Sequence, residues 1–309
     1  MSALVAVSEE VRAALEGGGG VVALETSVLA QGLPAPRNAE AAERMSRAVR
    51  EGGAVPAWIG LVGGEVRVGL TGTELERLSD PAGVAKVARR DLPVVLARGG
   101  LGATTVSATI WAAHAAGIAV CATGGIGGVH PGSGDVSADL LELARTPVLL
   151  VCSGPKSIVD PVATAERLEE LGVAVVGYGV DRLPFFLARE APVELEHRVD
   201  SPAEAAAIAE AQRALGVRSA VLLCNPIPAS HAMDPEGVAR AVRHAEERAA
   251  REGVHGKALT PFLLSALSEE TGGASLEANL ALLEANARLA AEVAAAPRRR
   301  LADGPRPDE

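Results

Sequence analysis

The sequence predicts an α/β/α sandwich: a mainly parallel central sheet covered by helices on both faces, with one hairpin excursion. Three observations predict it. Short runs rich in Val, Ile and Leu recur along the 309 residues, helix-period segments with marked ends separate them, and small or ionisable residues gather just after several of the runs. In open α/β sheets that last position is where ligands bind.

The runs are Val21 to Leu24, Val94 to Ala97, Ile118 to Ala122, Val148 to Cys152, Val173 to Val176 and Ala220 to Cys224. Each is short and continuously apolar, as a strand buried on both faces must be. Between Val55 and Leu70 two strand-like runs flank Gly63-Gly64, the signature of a tight hairpin. Helix starts are written as Asp160-Pro161, Ser201-Pro202, Asp234-Pro235 and Thr260-Pro261, where a capping side chain precedes a proline whose fixed φ suits the first helical turn. Helix ends fall at Gly172, Gly216, Gly253 and Gly272. No repeat and no long linker divides the chain, so residues 1–296 read as a single α/β domain. Residues 297–309, polar, Pro-rich and carrying Arg298 to Arg300, read as a disordered C-terminal tail.

Composition narrows the partners. The chain has 3 Phe, 2 Trp and 1 Tyr, 2% aromatic residues, too few for a platform that stacks successive nucleic-acid bases. Its 29 basic and 39 acidic residues give a net charge of −10, the wrong sign for wrapping a phosphate backbone. No nucleic-acid partner is expected, although one pocket can still bind an anion. Cys121, Cys152 and Cys224 follow no metal-ligand spacing and read as buried free thiols of a reducing compartment. With no signal-peptide pattern and no apolar run of the roughly 18 residues needed to span a bilayer, the protein is expected in the cytoplasm, without a membrane partner.

The residues just after each strand supply the candidate chemistry. Glu25-Thr26-Ser27 comes after the first run, and Glu25 could serve as an acid/base group or cap the next helix. The run from Thr123 to His130 holds Gly124, Gly125, Gly127 and Gly128. They could let backbone N–H groups approach an anion or flat ligand, or could simply make a tight crossover. Its spacing is not that of a dinucleotide-binding loop. Lys156 comes soon after the run ending at Cys152. A lysine desolvated there would favour its neutral amine and nucleophilic chemistry, whereas a solvated loop lysine would do nothing of the kind. Asp135, Ser137 and Asp139 could hold a hard cation or start a helix through Leu141 and Leu143.

Taken together, the segments VVALETSVLAQGLPAPRN, GAVPAWIGLVGGEVRVGL, KVARRDLPVVLARG, GATTVSAT, CATGGIGGVH, DVSADLLELARTPVLLVCSGPKSIVD, GVAVVGYG, CNPIP, GKALTPFLL and TGGASLEANLALLEANARLAAEVA resemble the pseudouridine-5′-phosphate glycosidases, relatives of the indigoidine synthase A proteins. The resemblance runs in order over residues 10 to 295. It implies an indigoidine synthase A-like fold, with the single domain catalytic, and reversible cleavage of the C–C glycosidic bond of pseudouridine 5′-phosphate to uracil and ribose 5-phosphate. It makes Lys156 the covalent nucleophile and Glu25 the proton donor. A carbon leaving group explains the lysine. Ordinary glycosidases expel a heteroatom with two carboxylates, whereas an amine at C1′ creates an iminium that can accept the electrons.

By the same resemblance Lys86, Thr105, Val106, Ser137, Ala138 and Asp139 contact the substrate, with Lys86 on the 5′-phosphate. Asn279 lies near the uracil and His130 supports the site. Asp135 becomes the single protein ligand of one Mn²⁺ ion otherwise held by water, and the assembly a homotrimer. Two departures stand out: Pro131 replaces an arginine after the histidine, on a shortened path to Asp135, and the nucleophile loop reads SGPK rather than AGAK. With so few aromatics, the base is expected against aliphatic side chains and glycine backbone, Phe262 being the ring placed to approach it. The alternatives are a related enzyme acting on another C-glycoside or sugar phosphate, and a non-catalytic sugar-phosphate-binding protein.

Overall fold

The computed structural model describes residues 4–131 and 134–297. The expected tail, apart from Pro297, lies outside the described residues. In chain order the strands are β1 (Val5–Val7), β2 (Gly20–Glu25), β3 (Ala54–Val62), β4 (Glu65–Val68), β5 (Val84–Val87), β6 (Leu101–Thr104), β7 (Val120–Ala122), β8 (Leu149–Cys152), β9 (Ala174–Tyr178), β10 (His197–Val199) and β11 (Val221–Cys224). The helices are α1 (Glu9–Glu16), α2 (Arg37–Glu51), α3 (Gly72–Ser79), α4 (Leu92–Ala97), α5 (Val106–Ala115), α6 (Ala138–Leu143), α7 (Pro161–Glu170), α8 (Pro202–Ala214), α9 (Pro235–Glu252), α10 (Leu259–Glu270) and α11 (Ala274–Ala295).

Nine strands lie side by side in the order β1-β4-β3-β2-β7-β8-β11-β9-β10, and the β5–β6 pair joins through β6 to β3. Among the described strands only β3 with β4, and β3 with β6, pair antiparallel. The first is the expected hairpin, with Gly63 and Gly64 both at positive φ, the backbone that its tight turn requires.

Alternation along the central strands builds a core on each face. In β2, Val22 and Leu24 join the core against α2, α9, α10 and α11, while Val21 and Ala23 join the one against α1, α5 and α6. In β11, Val221 and Leu223 face the first core, Leu222 and Cys224 the second. Burial on both faces explains why these strands contain almost no polar residue.

Asp160, Ser201 and Asp234 cap α7, α8 and α9, each accepting from backbone N–H groups in the first turn. The fourth expected start is shifted: α10 begins at Leu259 after Ala258, so Thr260 sits inside the first turn rather than capping it.

One strand is corrected outright. Val94 to Ala97 belongs to helix α4, entered through Asp91-Leu92-Pro93, with proline in the first turn where its missing N–H costs nothing. Val94 is 49% exposed, which a buried strand would not allow. The strands of this region are β5 and β6, four residues each, whose VAKV and LGAT contain no apolar run.

Candidate active site

The carboxyl ends of β2, β7 and β8, neighbours in the sheet, form the floor of a cavity of about 200 Å³. The β5–β6 pair forms one wall, and the first turns of α5 and α6, the start of α10 and Asn279 of α11 contribute the rest. Glu25, Lys86, Thr105, Val106, His130, Asp135, Ser137, Ala138, Asp139, Lys156 and Asn279 all line it.

Glu25, the last residue of β2, is 3% exposed. Its two carboxylate oxygens accept from the Ser27 hydroxyl at 2.8 Å and from the Thr123 hydroxyl. It therefore caps no helix; two hydroxyls aim it into the cavity. Lys156 lies on the loop after β8, which continues the sheet's ladder past the strand ends. Ser153 N donates to Gly124 O at 2.8 Å, Ile126 N to Gly154 O at 3.1 Å, and Lys156 N to Ile126 O at 2.9 Å. The loop requires glycine at 154, where φ is +75° and a Cβ would stand 1.9 Å from Pro184 O. Pro155, the departure from the commoner loop, sits in this ladder without breaking it, because the donors come from residues on either side.

The glycine run serves packing more than anion binding. A Cβ on Gly127 would lie 2.4 Å from Ser137 Oγ, and its N–H is already donated to Asp139 Oδ2 at 3.0 Å. Asp139, 6% exposed, also accepts from Ser107 N at 3.1 Å, capping the first turn of α5. Ser137 caps α6 by accepting from Asp139 N at 3.2 Å. Two helix starts are thereby fixed at one wall of the cavity. Beneath it Asn286, two turns along α11 from Asn279, donates to Thr123 O at 2.9 Å and Ser153 Oγ at 3.1 Å and accepts from Asn225 Nδ2 at 3.0 Å. One buried amide thus ties together the residues that come after β7, β8 and β11.

Electrostatics centre on Lys86. Burial pushes its ammonium down to about 8, the Lys156 charge adding to the effect while Asp139 and Glu25 oppose it. His130 is also lowered, first by burial and then by the Lys86 and Lys156 charges against Asp135, which favours neutral imidazole. The cysteine thiols at 121 and 224 are pushed up, Cys121 by burial and Cys224 first by its hydrogen bond with Cys152, so both stay protonated packing groups.

Asp135 is exposed at the rim, its carbonyl accepting from His130 N at 2.9 Å. Among the described residues no three His, Cys, Asp or Glu side chains converge as a metal cage. A single hard carboxylate open to water suits a mostly hydrated divalent cation and not a tightly coordinated one.

Gln31, Arg90, Phe186 and Lys257 line the cavity without any sequence signal of their own, while Ser27 and Thr123 belong to the segments after β2 and β7 that the sequence marked as candidate chemistry. Lys257 reaches Asp91 Oδ2 at 2.8 Å and Lys86 O at 3.3 Å, fastening the start of α10 to the wall opposite. The ring at the cavity is Phe186, not Phe262, which lies outside the lining and packs under Arg248 at 5.3 Å. Phe186 is the one described non-glycine residue at positive φ, +52°. Its ring closes on Gly125, where a Cβ would be 2.8 Å away. Strain of this kind is retained where surrounding structure demands it, often at functional sites.

A buried carboxylate and a lysine, held on strand ends flanking a glycine run beside a second, desolvated lysine, define an α/β enzyme built for an anionic substrate. The chain belongs to the indigoidine synthase A like protein family, whose pattern matches residues 10–296. It is 48% identical over 296 residues to the pseudouridine-5′-phosphate glycosidase of Saccharopolyspora erythraea, covering 95% of this chain and 98% of that one. To the enzyme of the same name from Thermus thermophilus it is 54% identical over 275 residues, covering 89% and 96%. Among solved structures, the prealnumycin C-glycosynthase AlnA in complex with ribulose 5-phosphate superposes with a TM-score of 0.87 at 42% identity, covering 96% and 97%. An indigoidine synthase A-like protein from Thermotoga maritima gives 0.87 at 38%, covering 94% and 96%. Among the described residues no helix is long and apolar enough to cross a membrane.

Proposed function

We propose that this protein is a pseudouridine-5′-phosphate glycosidase, cleaving the C1′–C5 bond reversibly to uracil and ribose 5-phosphate through a Schiff base on Lys156. The observation that carries the reading is the convergence of Glu25 and Lys156 from the ends of β2 and β8 into one cavity that also holds Lys86. Full-length similarity to enzymes of that name supports it.

The chemistry derives from the side chains. Lys156 yields a proton to the Glu25 carboxylate and its amine attacks C1′ as the C1′–O4′ bond opens, Glu25 passing that proton to O4′. The nitrogen now bonded to C1′ gives up a proton to Glu25, which delivers it to C5 of the base. The C1′–C5 bond breaks, its electron pair restores the ring double bond of uracil, and the nitrogen lone pair completes the iminium at C1′. Water hydrolyses the iminium, releasing ribose 5-phosphate and the free amine. Lys86 and the Ser137 hydroxyl form the phosphate end, where the lysine charge favours an anion; the first turns of α5 and α6 are themselves capped by Asp139 and Ser137. Neutral His130 is suited to relaying a proton beside Lys156. Asp135 would hold one Mn²⁺ ion as its single protein ligand, with water filling the other positions, and the ion would supply positive charge to the site. The working assembly is proposed as a homotrimer in the cytoplasm.

Uracil release from pseudouridine 5′-phosphate, followed by chromatography with and without Mn²⁺ or chelator, tests this reading. Absence of uracil under all conditions overturns it. Similarity to AlnA favours a second reading, the same covalent chemistry on another C-glycoside. That reading would be indicated by turnover of other C-linked aromatic sugar phosphates where pseudouridine 5′-phosphate is inert.

A further inference from the structure

Two buried side-chain polar atoms among the described residues have no hydrogen-bond partner, Gln31 Oε1 and Asn279 Oδ1, and both belong to residues lining the active-site cavity. Native proteins seldom leave buried acceptors unpaired, so a pair of them in one cavity marks where a ligand supplies donors. Gln31 stands on the turn Val28–Gly32 that comes after β2, six residues beyond Glu25. Its amide nitrogen makes a long bond to Val84 O at 3.5 Å, which orients the nitrogen toward β5 and leaves the oxygen without a donor. Asn279 is 6% exposed on α11. Neither acceptor suits the phosphate or the sugar carbonyl, which offer acceptors themselves; the ribose hydroxyls and the base N–H groups both offer donors, and ribose 5-phosphate binding separates the two.

Resting on the reading of the reaction above, we propose that Gln31 is a base-recognition residue: with Asn279 it accepts the two ring N–H groups of a C-linked uracil. A uracil joined to ribose through carbon keeps both N1–H and N3–H, whereas its N-linked isomer keeps only N3–H. Two acceptors therefore select the C-glycoside by a group that the N-glycoside lacks. The selectivity comes from the wrong isomer leaving one buried acceptor unpaired, a cost of about tenfold.

The test measures binding by calorimetry in the full chain carrying Lys156→Ala, so that nothing turns over. Pseudouridine 5′-phosphate, uridine 5′-phosphate and ribose 5-phosphate are titrated with Gln31 intact, as Gln31→Met and as Gln31→Glu. With Gln31 intact, the C-linked nucleotide is expected to bind about tenfold more tightly than the N-linked one, the effect of one buried hydrogen bond. Gln31→Met is expected either to remove that preference, if Gln31 reads N1–H, or to weaken both nucleotides about tenfold alike, if it reads N3–H. Ribose 5-phosphate affinity stays unchanged in both cases. Gln31→Glu loses the bond to Val84 O but keeps an acceptor, so it retains binding that Gln31→Met loses. No isomer preference with Gln31 intact, unchanged nucleotide affinities in Gln31→Met, or parallel losses for ribose 5-phosphate would overturn the proposal. Failure of wild-type protein to release uracil would instead overturn the reaction, since the binding preference is read without turnover.

Discussion

The two ends of the central strands both open into cavities, and they differ in kind. At the amino ends of β7 and β8 lies the larger, about 360 Å³, lined by Ile118, Val120, Val148, Leu149, Val217 and Val293 with His114, Glu210, Arg213 and Arg218 among them. Arg213 is paired with Glu210 three residues before it. The carboxyl-end cavity is about 200 Å³, yet it gathers Glu25, Lys86, His130, Asp139 and Lys156. Volume does not select the site. What distinguishes the carboxyl end is the convergence of polar groups held against their ordinary preferences: a buried carboxylate, a lysine lowered to about 8, and two orphaned acceptors.

The largest expected effect is at the nucleophile. Lys156→Ala should lower uracil release by more than about a thousandfold while leaving the melting temperature nearly unchanged, since covalent catalysis is lost and little packing is. Retained activity would dissolve the contrast between the two ends. Next, Glu25→Gln should cost about 10²- to 10⁴-fold in kcat, the range for a lost general acid/base. Its shape is preserved, the amide oxygen accepting from one hydroxyl and the amide nitrogen donating to the other, so circular dichroism should not change.

Lys86→Met separates function from stability. Burial lowers the native pKa of Lys86 from 10.5 to about 8, so the charged form opposes folding fully below about 8, and the opposition fades as pH rises from there to 10.5. The variant should be more stable at neutral pH, by on the order of 2 kcal/mol, with the gain disappearing toward pH 10.5. It should also raise KM for the phosphorylated substrate. In the wild type, KM should climb as pH passes about 8 and Lys86 loses its charge. A KM flat from neutral pH to beyond that value would remove Lys86 from the phosphate. Smallest of all, Arg213→Ala at the amino-end cavity should change kcat and KM less than about twofold, a surface substitution far from such features. A large loss there would show that chemistry is not confined to the carboxyl end.

Much of this division was legible in the sequence. Central strands buried on both faces announce themselves as apolar runs, and the caps at Asp160, Ser201 and Asp234 mark their helices, because both signals are local. The wall carrying Lys86 was less so. Its strands β5 and β6 are four residues long and alternate with polar residues and glycine, while the more apolar PVVLA soon after Asp91 forms a half-exposed helix. The resemblance placed Glu25, Lys86 and Lys156, yet Gln31, Phe186 and Lys257 carry no pattern of their own. Each acquires meaning from what the fold sets beside it: an empty donor position, a glycine backbone, or Asp91. The glycine run is instructive in the same way. Its spacing allowed an anion cradle or a tight crossover, and close packing against Ser137, Asp139 and Phe186 accounts for it.

The central claim is that Lys156 forms a Schiff base with the sugar. Incubating the protein with ribose 5-phosphate and sodium borohydride, then mapping peptides by mass spectrometry, tests it most directly. The expected result is a reduced ribose 5-phosphate adduct on the peptide containing Lys156, absent from Lys156→Ala. An unmodified Lys156, or an adduct confined to Lys86 or Lys257, would contradict it.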